Sequence, residues 1–302
     1  MIRLCAVALF LTLMAPSSHA LTIAMVLWRG ETAAETAFRA ELNRLGYHPK
    51  IIVFDANQNR AVLANMLRKE VVPRLDEFDY IYTFGTTATA MAKKTISGRK
   101  PLVFTAVYDP IGASILSADK NMNSMIAGTS HMVPIAMQLA NASKYISTKK
   151  HILIPFNPRE KNTRFITDMI KDEAARYSWE VFTWRIAPLP KRLDSELKRL
   201  RQDAKNDIVF LPSDSYLLSV APRLLNALNE EGIPTICSVE LFVKYGCSVS
   251  TISSYDSQGK LAAKIIDSNQ RGILLKDIPL QIDNAPRLVV GERMTLPQAV
   301  DE

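Results

Sequence analysis

The sequence is poor in the signals that usually announce a chemistry. It holds no Gly-x-Ser-x-Gly elbow, no Walker loop, no Gly-x-Gly-x-x-Gly fingerprint and no zincin helix. The usual positive evidence for serine hydrolysis, nucleotide or dinucleotide binding and zinc proteolysis is therefore missing. Histidine is scarce, with four in the chain. His48, His131 and His151 lie far apart with no close Cys or carboxylate companions, so no metal site and no cofactor is expected. His131 alone reads as a structural histidine. Long basic runs are absent too. The net charge of +7 is scattered, and pairs such as Lys149-Lys150 and Lys191-Arg192 read as solvated surface, which argues against nucleic acid as a partner.

Long apolar runs are limited to residues 4–14, about 11 residues against the roughly 20 that span a bilayer. With Arg3 before it and Ser18-His19-Ala20 after it, this run reads as a secretory leader, residues 1–20, cut after Ala20. The expected product is exported to the periplasm. Cysteine is limited to three, of which Cys237 and Cys247 would survive cleavage. Export permits a disulfide between them. However, Cys237 ends one predicted strand and Cys247 begins the next. Such positions usually lie at opposite edges of a sheet, beyond the bridging distance of about 7 Å. Two free, buried thiols are the favoured expectation.

What is present is a regular alternation of strand and helix. Strands are expected at 21–27, 48–54, 80–83, 102–106 and 124–128. Helices are expected at 32–45, closed by Gly46, and at 59–72, stopped by Pro73, with another between the third and fourth strands. A second series follows. Helices are expected at 133–145, 162–176, 193–204, 215–230 and 256–269. Strands are expected at 151–155, 179–185, 207–211 and 235–237, an extended stretch at 248–253, and two last strands at 277–283 and 287–290. No low-complexity linker separates the halves. The pattern predicts an α/β protein of two Rossmann-like lobes with parallel sheets, joined by hinge strands.

Ligands of open α/β sheets sit beyond the carboxyl ends of strands, which directs attention to the segments 80–90 and 101–113. Thr86 and Thr87 follow Gly85 at a helix start, where free N–H groups bind a carboxylate or a threonine caps the helix. Asp109, before Pro110, can accept from a ligand ammonium or bind its own turn. Asp214 sits at a strand end of the second half and has the same two readings, ligand contact or helix cap. Glu240 is a further acidic candidate. Trp28 in the first loop can stack on a flat ligand, and Arg29 can pair with a carboxylate or phosphate. Tyr108, Tyr216 and Tyr255 can line a cleft or serve as ordinary packing.

The order of these motifs resembles the exported substrate-binding proteins of ABC transporters, in the branch that includes tryptophan and aromatic amino-acid binders. The resemblance runs over nearly the whole chain after the leader. It rests on Pro101-LVFTAVYDPIGA, Thr86-Thr-Ala88, Ile154-Pro-Phe-Asn-Pro158, Leu211-Pro-Ser-Asp214, Gly232-Ile-Pro234 and the stretch from Tyr255 to Gly259. Two places depart from the family pattern: Ser215 stands where Asn often follows the Pro-x-Asp element, and the loop Trp28-Arg29-Gly30-Glu31 is unlike the usual one. The resemblance implies a type I periplasmic-binding fold that crosses between lobes three times, near Ser130, Ser253 and Pro286. One lobe would hold residues 21–130 plus 254–286, and the other residues 131–253 plus 287–302. It implies a monomeric receptor that captures a small molecule, an amino acid or similar carboxylate, and docks on a membrane permease. Two other functions compete: a sensing subunit for a membrane histidine kinase or diguanylate cyclase, and an exported enzyme using Asp109 and Asp214 as acid and base. A binding protein, not an enzyme, is the leading expectation.

Overall fold

The computed structural model describes residues 20–123, 125–146, 148–158, 162–292 and 294. The expected leader, including Arg3 and the apolar run, lies outside them. Among the described residues no helix is long and apolar enough to cross a membrane.

The first half alternates β1 (Thr22–Leu27), α1 (Ala33–Arg44), β2 (Lys50–Asp55), α2 (Arg60–Met66), β3 (Tyr80–Phe84), α3 (Thr86–Ile96), β4 (Leu102–Val107) and β5 (Ile126–Ser130). β1, β3 and β4 are buried along almost their whole length, as expected of parallel strands covered on both faces by helices. The second half runs α4 (Ile135–Ser143), β6 (His151–Phe156), α5 (Asn162–Ala174), β7 (Glu180–Arg185), α6 (Leu193–Asp203), β8 (Ile208–Leu211), α7 (Ser215–Ser219), α8 (Ala221–Glu230), β9 (Thr235–Cys237), α9 (Glu240–Lys244) and β10 (Val249–Ile252). α10 (Tyr255–Gln270), β11 (Gln281–Ile282) and β12 (Arg287–Val290) complete the chain. One sheet has the order β11-β5-β4-β3-β1-β2 and is parallel throughout; the other has the order β12-β10-β9-β8-β6-β7, parallel except for β12.

α10 packs on α1. An added Cβ at Gly259 would overlap the Ala34 carbonyl oxygen, so the two helices meet backbone to backbone. The α1 start is fixed by a capping box, with Thr32 accepting from the helix and Glu35 answering the Thr32 backbone N–H. Three connections join the two halves: β5 to α4, β10 to α10, and β11 to β12. A chain of hydrogen bonds ties them. Gln258 Nε2 donates to the Ser130 carbonyl (3.1 Å) and to Ser253 Oγ (2.7 Å), and Ser253 Oγ donates to Asp283 (3.1 Å). Tyr108 leaves the end of β4 and buries its ring in the core of the other half, beside Ile135, Ile154 and Phe210.

Four local expectations change. Pro73 does not stop the second helix. The chain tightens through a π turn, Leu67–Val71, into a 3-10 turn, Val72–Glu77, where a proline near the start lacks no needed donor. The helix expected at 215–230 is two helices, broken at Val220 ahead of Pro222. α9 was not foreseen, because five residues carry too little periodicity. Finally, Cys237 and Cys247 are not free thiols; they form a disulfide, with Cα atoms 6.3 Å apart. β9 is only three residues long and pairs directly with β10. The end of one strand and the approach to the next are therefore close, inside the usual range of about 4.4–6.8 Å.

Candidate functional site: a cleft between the two sheets

Each sheet reverses its strand order once, between β1 and β3 in the first and between β6 and β8 in the second. The loops that leave those strands are the ligand-bearing ones of open α/β folds. Here those that follow β1, β3 and β8 face one another. From the first half the cleft takes Trp28 and Arg29 after β1, Gln58 after β2, and Phe84 to Thr87 across the β3–α3 junction; Ala106 of β4 lies behind them. From the other half come Ser213, Ser215, Leu218 and Val239, while His131 and Tyr255, the first residue of α10, lie at the connections between the halves. The cavity volume is about 50 Å³. That admits a few waters, each needing about 10–15 Å³ by this measure.

Arg29 dominates the cleft. Its guanidinium donates to the Tyr255 hydroxyl (2.5 Å) and stands 5.6 Å from the centre of the Phe84 ring and 5.7 Å from that of Tyr255. The two rings meet edge to face at 5.3 Å. Such cation–π contacts hold an arginine by about 0.5–2 kcal/mol each. Among the described residues Arg29 has no carboxylate partner. Burial pushes the Tyr255 hydroxyl above its ordinary pKa, and the Arg29 charge opposes that shift.

α3 starts beside Arg29. Its N-cap is Gly85, at φ 81°, and no side chain caps the first turn. A residue with a Cβ is strained at that φ, so glycine both permits the turn and leaves the first N–H groups open to the cleft. Thr86 and Thr87 line the cleft without capping the helix. His131 closes the floor. It is 5% exposed, its Nε2 lies 3.2 Å from Ser213 Oγ, and its Nδ1 has no hydrogen-bond partner of good geometry among the described residues. Burial, aided by the charge of Arg29, lowers its pKa from 6.5 to about 4, so the ring is neutral at pH 7.

The structure therefore brings together Trp28, Arg29, Thr86, Thr87 and Tyr255. It does not bring the other expected residues to the cleft. Asp109 turns back on its own loop and accepts from the backbone N–H groups of Ile111 (3.2 Å) and Gly112 (2.9 Å). Asp214 is 0% exposed; it caps α7 through Tyr216 and Leu217 and accepts from the Asn157 N–H (3.0 Å). Glu240 accepts from the Tyr255 N–H (2.5 Å) and pairs with Arg287 (3.5 Å). Tyr108 packs edge-on to His131 from behind, and Tyr216 packs partly buried against the core. Sequence reasoning missed Phe84, Gln58, Ser213 and Ser215 as lining residues and took His131 as structural only. Phe84 adjoins the strand-end glycine and was open to the same argument as Thr86; for Gln58 no pattern gave a signal.

The profile of the family described as ABC transporter substrate binding protein matches residues 24–301. A tyrosine-binding protein of Clostridioides difficile (strain R20291) is 25% identical over 219 residues, which make up 72% of this chain and 62% of that protein. Among solved structures, the ABC domain from Streptococcus pneumonia in complex with L-Trp superposes with a TM-score of 0.81 at 19% identity, covering 93% of this chain and 97% of that one. A conserved domain protein from Vibrio cholerae gives 0.80 at 19% identity with the same coverage. The two-sheet architecture agrees with both in fold. On the extent of the family match, the chain belongs to the ABC transporter substrate-binding proteins and has their type I periplasmic-binding fold.

Proposed function

We propose that this chain is a periplasmic receptor that captures a small carboxylate with an apolar or aromatic body and delivers it to the permease of an ABC importer. The observation that carries the reading is Arg29, without a carboxylate partner, beside the uncapped start of α3. A guanidinium pairs with a carboxylate through two parallel hydrogen bonds, and free N–H groups at a helix start add to the attraction. Trp28, Phe84 and Tyr255 offer flat apolar surface for the remainder of the ligand. The names of the tyrosine-binding relative and of the L-Trp complex favour the same class.

A cavity of about 50 Å³ is far below the roughly 300–1,000 Å³ of ligand pockets. Entry therefore requires the two lobes, residues 21–130 plus 254–286 and residues 131–253 plus 287–302, to part about the three connections and close again on the ligand. No covalent step is involved, and the receptor acts as a monomer released from its leader. A thermal-shift screen of amino acids, aromatic acids, sugars and inorganic anions tests this, since a tight ligand raises the melting temperature by mass action. The best hit is expected to be an organic carboxylate, recovered unchanged. A neutral sugar as best hit, or turnover of the ligand, overturns the proposal.

A further inference from the structure

The cleft offers positive charge and nothing to answer a cation. Among the described residues Arg29 is the one charged side chain that lines it. The carboxylates within three residues of the lining in sequence are all engaged elsewhere. Glu31 pairs with Arg39 (2.6 Å) and Asp256 with Lys260 (2.7 Å). Asp55 accepts from Gly30 and Asn57; Asp109 holds its own turn; Asp214 caps α7 and binds Asn157; Glu240 holds the Tyr255 backbone and Arg287. A free amino acid brings an ammonium as well as a carboxylate. In this cleft the ammonium would lose its water with no carboxylate to replace it, which is unfavourable, and Arg29 would repel it. His131 points the same way. It is 5% exposed and lines the cleft, and its Nδ1 is without a partner of good geometry. A neutral imidazole there serves a neutral polar group and gives a cation no counter-charge.

Resting on the receptor reading above, we infer that this protein selects aromatic monocarboxylates that lack an α-ammonium group over the amino acids with the same side chain. The carboxylate lies against Arg29 and the start of α3, and the ring lies among Trp28, Phe84 and Tyr255. His131 faces the carbon that would bear the nitrogen in an amino acid.

Matched probes test this by calorimetry on the full chain without its leader. One trio is 3-(4-hydroxyphenyl)propanoate, tyrosine and tyramine; the other is indole-3-propanoate, tryptophan and tryptamine. The expected result is that at least one acid binds about fivefold or more tighter than its amino acid, and that neither amine binds. If in every trio that binds the amino acid matches its acid, or comes within about fivefold of it, the inference is overturned and the carboxylate receptor is left standing. An amine that binds more tightly than its acid overturns both. If neither acid binds up to about 10 mM the inference fails, and if the broader screen is also silent the receptor reading fails with it. In Arg29→Met the acid is expected to lose about 30-fold or more in affinity, whereas Arg29→Lys keeps part of it. An Arg29→Met protein that is folded by circular dichroism and binds the acid as before also overturns the inference.

Discussion

Asp214 separates a structural carboxylate from a ligand-binding one, and its replacement gives a sharp result. The side chain is fully buried and accepts three backbone N–H groups, those of Tyr216 (2.8 Å), Leu217 (3.0 Å) and Asn157 (3.0 Å). Asp214→Ala removes the α7 cap, a loss of about 1 kcal/mol. It also leaves the Asn157 N–H at the end of β6 without this acceptor in a buried place, a loss of about 1–3 kcal/mol. Together about 3 kcal/mol of stability should disappear. At about 2–4 °C per kcal/mol for a chain of this size class, the melting temperature falls by about 6–12 °C. Asp214→Asn keeps one acceptor oxygen and should recover about half of that loss. Differential scanning calorimetry with and without a saturating carboxylate ligand gives the two quantities needed. The stability falls, and the increment added by ligand stays within about 2 °C of the wild-type value. An unchanged melting temperature in the free protein together with a lost ligand increment would refute the reasoning, because it would place Asp214 on the ligand.

Two further outcomes follow from the same geometry. His131 is held neutral by burial and by Arg29, with a pKa of about 4 against an ordinary 6.5. As pH falls from 6.5 towards 4 the unfolded chain takes up a proton that the folded one refuses, so about 3 kcal/mol of stability is lost across that window and none above it. Urea unfolding of the wild type and of His131→Gln should show their difference shrinking over that window; a difference independent of pH sinks the assignment. The Cys237–Cys247 bond closes a short loop, and reduction should lower stability by about 2–3 kcal/mol. Detection of two free thiols in the native protein before any reductant is added would show that the bond is not there.

The sheets were legible because their evidence is local. The alternation of β-branched runs with helical faces located every strand of the first sheet to within a few residues, and Gly46 and Thr32 punctuate α1 as their chemistry requires. Where a boundary depends on a single turn the pattern failed. Pro73 blocks an α-helix but not a 3-10 turn, and Val220 breaks a helix whose apolar spacing continues past it. The disulfide was missed because its geometry depends on the shortness of β9, not on which end of a strand each cysteine occupies. In the cleft, Arg29 and Thr86 follow from strand-end position. Asp109 and Asp214 occupy equivalent positions and face away from it. A carboxylate at a strand end reads the same whether it meets a ligand or its own backbone; the rotamer decides, and spacing does not encode it. The lack of a counter-charge for an ammonium emerges only when both halves of the cleft are assembled.

The packing of α10 on α1 bears on how the chain is made. α1 exposes Ala34, Phe38 and Leu42 on the face that α10 later covers with Ala262, Ala263 and Ile266. During synthesis that face is ready early, yet its cover arrives only after the whole of the other sheet except β12 has emerged. Each sheet then receives one edge strand from the last stretch of the chain. Neither half can reach its final form before translation is nearly over.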